Sequence, residues 1–295
     1  MGSAPRMHED ELRIDADLIR RLLADQMPSL ADRPLQEVGR GTVNAMFRLG
    51  DDLAVRLPRT AAWVGDLDRE REWLPRLQER VSLRIPEPVA YGGPADGYPL
   101  PWAVYRWLDG EPYDDSLVSD EERAAEDLAG FVRELRNGAV EDAPLTGRRP
   151  LAELDAVTRT AIVQAGDLLD GPAVIRAWDR ALAAPPFAGE RVWVHTDLLR
   201  PNLLVSGGRL DAVIDFGAVG IGDPAADVIA AWAVFGPTGR AAYRAALDVD
   251  DATWERARGY ALTQAALIVP YYRETNPAFT ESALRTLREV VADAA

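Results

Sequence analysis

The chain contains no cysteine and no lysine. Without cysteine there are no disulfides, no thiolate metal sites and no cysteine nucleophile. Without lysine, a Schiff base and a Walker-type phosphate loop are excluded; all 33 basic residues are arginine. Histidine is nearly absent as well. His8 and His195 are the only two, which disfavours a histidine-built metal site. No apolar run reaches the ~18 residues of a membrane-spanning helix. The opening stretch MGSAPRMHEDELR lacks the apolar segment of a signal peptide. Met1-Gly2-Ser3 has the composition of a cloning remnant, which makes Met7 the candidate natural start. These absences point to a cytoplasmic protein with no membrane partner.

What is present is ordinary in bulk and strongly acidic. At 295 residues, 47% hydrophobic and 27% charged, the chain can bury a sizeable core in one or two domains. The net charge of −15 repels nucleic-acid phosphates and argues against such a partner. It suits a cationic small molecule, and it is equally the charge of a merely soluble protein. A monomer and a homodimer both remain open.

The pattern of elements changes along the chain. DADLIRRLLADQM, from Asp15, places Leu18, Ile19, Leu22 and Leu23 on one helical face, with Asp15 as N-cap. Residues 35–57 read as strands around a glycine-bearing turn and Gly50-Asp51-Asp52. Residues 66–80 read as a charged amphipathic helix that Pro75 would kink. IPEPVAYG and WAVYRWL are two more strands. After the Gly110 and Pro112 break, Ser119 and Glu122 read as a capping box for a helix over 120–137. Helical patterns follow at 151–169 and 172–184. The strands VWVH, LLVS and LDAVID come next, and Asp223-Pro224 reads as a helix start. Helices over 251–270 and 279–294 finish the chain. A sheet-rich part followed by a helix-rich part is α+β in character.

Most of the chemistry sits between Trp193 and Asp227. His195-Thr196-Asp197 is followed five residues later by Asn202, and Asp215-Phe216-Gly217 comes thirteen residues after that. A strand-end aspartate facing an alcohol can take its proton while the oxygen attacks phosphorus. An asparagine carbonyl and a second aspartate supply the oxygen ligands magnesium prefers. His195 reads as a packed residue bonded to backbone near Asp215 rather than as a base. Upstream, Gly39-Arg40-Gly41-Thr42-Val43-Asn44 lies between two strands, where glycines let backbone N–H groups approach phosphates; a plain two-glycine hairpin is the alternative. Arg56, on the next strand, can grip phosphate with its planar fork. Its helical partner is Glu70, with Glu72 as second choice.

In this combination the residues from Val38 to Asp227 resemble the aminoglycoside phosphotransferase family, which has a protein-kinase-like fold. The resemblance implies a bilobal α+β fold: an N-terminal five-stranded antiparallel sheet plus helix over residues 1–106, and a larger, mainly helical C-terminal lobe over 107–295. It implies ATP, with GTP as the alternative, and Mg2+. Asp197 would be the catalytic base, and Asn202 and Asp215 would hold the metal. Gly39, Gly41, Thr42 and Asn44 would cover the phosphates. Arg56, held by Glu70, would touch them. Arg106, Trp107 and Leu108 would read the base with backbone groups. His195, Asp223 and Asp227 would be supports.

Three departures stand out. Thr196 occupies a usual glycine position. The proline of Leu198-Leu199-Arg200-Pro201 comes one place late, so Arg200 is a candidate phosphate contact or a surface arginine. Arg56 replaces the usual lysine. The implied activity is O-phosphorylation of a small-molecule hydroxyl, an aminoglycoside-type antibiotic first. Asp109, Glu111, Asp114 and Asp115 are candidate contacts for a cationic acceptor. A macrolide, a peptide antibiotic, a sugar, choline or a homoserine-like metabolite are alternatives, with Trp232, Phe235, Tyr271 and Tyr272 as candidate apolar lining. A regulatory nucleotide-binding pseudokinase is the alternative of another class.

Overall fold

The computed structural model describes residues 11–40 and 43–294. By contacts the chain divides into two units: residues 1–79, 84–109 and 213–217 form one, and 80–83, 110–212 and 218–295 form the other. The short piece Val213–Gly217 therefore packs with the first unit although it follows most of the second in sequence.

In the first unit, α1 (Ala16–Gln26) starts at Asp15, whose Oδ1 accepts from Leu18 N at 2.9 Å. Its buried face is Leu18, Ile19, Leu22 and Leu23, each contributing about 1.5–3 kcal/mol by leaving water. The sheet comprises β1 (Leu35–Arg40), β2 (Asn44–Leu49), β3 (Leu53–Pro58), β4 (Pro88–Gly92) and β5 (Trp102–Arg106), in the order β1-β2-β3-β5-β4. Its pairings are antiparallel. Gly50, at φ +65°, supplies the left-handed residue of the β2–β3 turn. Between β3 and β4 runs α2 (Val64–Leu77), which passes through Pro75.

Strand β3 is central and buried at every position. The two-residue period of a strand sends Leu53, Val55 and Leu57 to one face, where they join the α1 core. Ala54 and Arg56 turn to the other. A charged side chain thus enters the interior because it sits on the middle strand, and it needs a partner there.

The second unit is mainly helical. It holds β6 (Glu111–Pro112), β7 (Val192–Val194), β8 (Leu203–Ser206), β9 (Arg209–Val213) and β10 (Gly220–Gly222), in a three-stranded sheet β6-β8-β9 and a β10-β7 pair. Its helices are α3 (Glu121–Arg136), α4 (Leu151–Ala165), α5 (Gly171–Leu182), α6 (Ala225–Val228), α7 (Ala230–Ala233), α8 (Pro237–Leu247), α9 (Asp251–Tyr272) and α10 (Pro277–Ala294). Two expectations need correction. The cap of α3 is Asp120, whose carboxylate accepts from Arg123 N at 3.0 Å; Ser119 instead donates its N–H to Gly208 O. And α8 is a helix that the periodicity reading passed over. No helix among the described residues is long and apolar enough to cross a membrane.

Candidate active site

In the first unit the centre is Arg56. Its Nη1 donates to Glu70 Oε1 and Oε2 at 2.6 and 2.5 Å. With the Asn44 amide turned so that Oδ1 faces the guanidinium, that oxygen accepts from Arg56 Nη2 and Nε at 2.9 and 3.0 Å. Nη2 also lies 3.4 Å from Asp215 Oδ1. Arg56 is 8% exposed and Glu70 fully buried. Burial opposes the charge of Arg56, but Glu70 and Asp215 outweigh it and hold the guanidinium's pKa above its ordinary value. Glu70 is satisfied on every side, accepting also from Tyr105 Oη at 2.7 Å and Phe216 N at 3.0 Å. The one helical carboxylate thus ties together β3, β5 and the Asp-Phe-Gly segment.

A third carboxylate stands beside this pair. Asp66 is pushed up to about 6, first by burial and then by the charge of Asp215. A Cβ on Gly217 would come within 2.6 Å of the Asp66 Cβ, so only glycine admits this approach. Asp215 itself has φ +68°, a left-handed conformation that costs a non-glycine residue about 1–3 kcal/mol. The surrounding bonds over-determine it: Phe216 N is fixed on Glu70 and Val213 N donates to Arg84 O.

The remaining candidates of this unit are placed as follows. Gly39 lies in β1, within a one-residue register slip between Glu37 and Arg40, a β-bulge. Asn44 opens β2. Gly41 and Thr42 lie outside the described residues. The N–H groups of Arg106 and Trp107 are engaged by Glu87 O and Asp52 O at 2.8 and 2.9 Å. Recognition of a base by this stretch would fall to the other backbone groups of residues 106–108.

In the second unit, the loop after β7 is held by Asp227. This fully buried carboxylate accepts from His195 N at 3.0 Å and Thr196 N at 2.7 Å. Thr196 has φ +75°, unfavourable for a β-branched residue and an answer to why glycine suits this position. The two N–H bonds and a bond from Arg148 Nη2 to the Thr196 carbonyl hold it there. His195 is fully buried, and its Nδ1 accepts from Asp197 N at 3.3 Å.

The loop then turns tightly, with Leu199 N on Asp197 O and Asn202 N on Leu199 O, both 2.9 Å. Pro201 sits in the 3-10 turn Arg200–Asn202. The Asn202 amide nitrogen donates to Asp197 O at 2.9 Å and to Asp197 Oδ2 at 2.7 Å. With both bonds made by the nitrogen, the Asn202 carbonyl oxygen is the atom of this amide with ligand character. From α9, Gln264 Nε2 donates to Asp197 Oδ1 at 2.6 Å.

Arg200 is engaged on two sides. Its Nε and Nη2 reach Val234 O at 3.0 and 2.7 Å, and Nη2 reaches Asp115 Oδ1 at 2.5 Å. Its guanidinium lies over the Tyr113 ring at 5.3 Å. Asp223 accepts from Ala225 N at 2.9 Å at the start of α6 and makes a two-pronged pair with Arg256 of α9, at 2.8 and 3.2 Å.

The candidate acceptor contacts divide likewise. Asp114 is bonded to Ser116 and Asp115 to Arg200. Trp232 and Phe235 are core residues without exposure. Tyr271 is 58% exposed and stacks edge-on with Tyr272, which meets Phe279. Beside Gln264 lies an apolar hollow lined by residues including Leu199, Ala261, Ile268, Phe279 and Ser282; no charged side chain lines it.

A five-stranded antiparallel sheet carrying a buried cation–glutamate pair, followed by a helical part with this Asp–Asn loop and Asp-Phe-Gly segment, defines a protein-kinase-like phosphotransferase fold. The sequence profile of the phosphotransferase enzyme family matches residues 34–260, and the chain belongs to that family. Solved structures agree in fold. An APH(2″) enzyme in complex with GDP and kanamycin is 22% identical, with 94% of this chain and 99% of that one covered and a TM-score of 0.76. The GDP complex of aminoglycoside 2′-phosphotransferase-IIIa is 21% identical, covering 96% and 100%, at 0.74. The macrolide 2′-phosphotransferase MphH from Brachybacterium faecium is 22% identical, covering 92% and 97%, at 0.61. No curated protein matches the chain in sequence.

Sequence reasoning missed Gln264, Arg148 and Asp66. The first two act on the loop from 67 and 48 residues away, and no local pattern announces such contacts. Asp66 had a signal, since it lies one helical turn before Glu70 on the same face.

Proposed function

We propose that the protein is an ATP-dependent O-phosphotransferase acting on a hydroxyl of a small molecule. The observation that carries this is the Asp197–Asn202 pair: a carboxylate held at 2.7 Å by the amide nitrogen of an asparagine five residues on. In the transfer step the acceptor oxygen bonds to the γ-phosphorus and the bond to the β–γ bridging oxygen breaks. ADP leaves, and the hydroxyl proton passes to Asp197. Residues 1–106 supply nucleotide contacts, through Gly39, Gly41, Thr42, Asn44, Arg56 and the 106–108 backbone. Residues 107–295 supply the chemistry and the acceptor site. The long 3.4 Å contact from Arg56 to Asp215 is the one a phosphate oxygen would replace. The partners of Arg200 favour a loop-holding role over a phosphate contact.

Magnesium fits the donor set. The Asn202 carbonyl and the Asp215 carboxylate are hard oxygen ligands, and a cation carried on phosphates needs only one or two protein oxygens. Among the described residues no three acidic or histidine side chains form a self-sufficient metal site. A magnesium ion carried on the nucleotide would neutralise charge on its phosphates. An enzyme drawing on ATP in this way works in the cytoplasm.

An aminoglycoside is the first acceptor class, given the family and the net charge of −15. A second reading is an uncharged acceptor such as a macrolide, which the likeness in fold to a macrolide 2′-phosphotransferase supports. The test is ATP turnover and product mass over kanamycin, gentamicin and erythromycin, with thermal shift by ATP and Mg2+. Phosphorylated product is expected from one class. Stabilisation by ATP without transfer to any acceptor would instead indicate a nucleotide-binding pseudokinase.

A further inference from the structure

Both oxygens of the Asp197 carboxylate carry an amide donor. Asn202 holds Oδ2 from within the loop, and Gln264 holds Oδ1 from α9 at 2.6 Å. A side-chain amide can point either way, and here its direction is set from behind. Gln264 Oε1 accepts from Arg148 Nη2 at 3.2 Å. Reversing the amide would set its NH2 against the guanidinium and its carbonyl against the carboxylate, losing both bonds.

Arg148 is itself anchored. The same nitrogen donates to the Thr196 carbonyl, and the guanidinium lies over the Tyr260 ring at 5.2 Å. Tyr260 is one helical turn before Gln264, so a single face of α9 presents both the ring that seats Arg148 and the amide that meets Asp197. Burial works against the charge of Arg148, and Asp197 is foremost among the carboxylates that offset it. The residue therefore stabilises a left-handed turn and orients an amide at the cost of its own hydration.

We infer that Gln264 is a positioning residue for phosphoryl transfer, aiming the Asp197 carboxylate at the acceptor hydroxyl, with Arg148 fixing the direction of its amide. The inference rests on the assignment of Asp197 as base. An amide on each oxygen restrains rotation of the carboxylate group. Orientation of this kind acts on the transfer step rather than on binding.

The test is steady-state ADP release from ATP by the full chain, with kanamycin or erythromycin as acceptor and, without either, with water. Gln264→Met keeps the volume and removes both polar contacts. It is expected to lower kcat by about 10- to 100-fold while the KM for ATP and acceptor stay within about twofold. Gln264→Glu, should the methionine variant fold poorly, keeps the shape but faces Asp197 with a second carboxylate, and a loss at least as large is expected. Arg148→Lys should fall between these and the wild type. A kcat equal to wild type in either Gln264 variant overturns the inference, as does a loss that follows melting temperature with both KM values rising. Failure of the underlying assignment is separate: Asp197→Asn would then retain near-normal turnover, whatever Gln264 does.

Discussion

The two units present their key carboxylates in opposite ways. Around Arg56, charge is held by charge: one guanidinium meets the buried Glu70 and the part-exposed Asp215, with Asp66 close by. Around Asp197, the direct bonds come from neutral dipoles, two side-chain amides on the carboxylate and two backbone N–H groups on Asp227 behind it, with the Arg148 guanidinium acting at longer range. Yet each region ends in the same device, a non-glycine residue at positive φ: Asp215 at +68° and Thr196 at +75°. An ion pair holds a group by a deep but unforgiving well, since removing one partner strands the other. Amides hold it with smaller individual losses. The difference suits a structural clamp on one side and the proton-accepting role proposed for Asp197 on the other.

The largest effect is expected at the amide-held carboxylate. Asp197→Ala should abolish transfer while ATP binding, followed by thermal shift, stays largely intact; near-normal turnover would remove it as the base. Glu70→Ala should cost about 3–5 kcal/mol, because Arg56 would remain buried with its main counter-charge gone. The expected readout is a melting temperature lower by on the order of 10 °C. The matching change in the second unit, Asp227→Asn, keeps one acceptor and leaves one buried N–H unpaired, for about 1–3 kcal/mol. Equal losses from the two variants would mean that the charged and amide-held regions do not differ as described.

The asymmetry also explains what was legible beforehand. The Asp197, Asn202 and Asp215 spacing, the five strands and the helix bearing Glu70 are local patterns, and each is visible in consecutive residues. Gln264 is not, because its place on Asp197 depends on how α9 packs. The α3 cap illustrates a finer limit. Ser119 and Asp120 are both capping residues, and only the chain path, which sends Ser119 N to Gly208 O, selects the second. Helix α8 carries proline at its first turn, but its alanine-rich face makes a weak apolar period. Arg56 in place of lysine was visible as a substitution, but not its consequence: its fork reaches Asn44, Glu70 and Asp215 together.

A lysine has one nitrogen and cannot repeat that spread. Arg56→Lys is therefore expected to keep the Glu70 pair, free the Asn44 amide and lower turnover about tenfold, or ~1.4 kcal/mol. An unchanged rate would show that only the charge matters there. Thr196→Gly sharpens the other side. Glycine relieves the left-handed strain, so stability should rise by up to about 1 kcal/mol, read as a higher urea midpoint with an unchanged slope. A fall would show that the threonine side chain contributes more than its backbone costs.

The smallest effect expected is the most specific to the charged region. Asp66 has a folded pKa of about 6 against 3.8 when unperturbed. Between those values the folded chain binds a proton that the unfolded chain has released. The stability contributed by this group is therefore greatest at low pH and declines as pH rises from about 4 to about 6. Asp66→Asn removes the titration and the repulsion from Asp215 together. Relative to wild type the variant should gain stability across that window and hold a constant advantage above it, on the order of 1 kcal/mol once solvent screening is allowed for. Urea melts at pH 4.5, 6 and 7.5 would show the two proteins diverging between the first two and running parallel after. An advantage that does not change with pH would mean that Asp66 is ionised throughout and that Arg56 alone balances all three carboxylates.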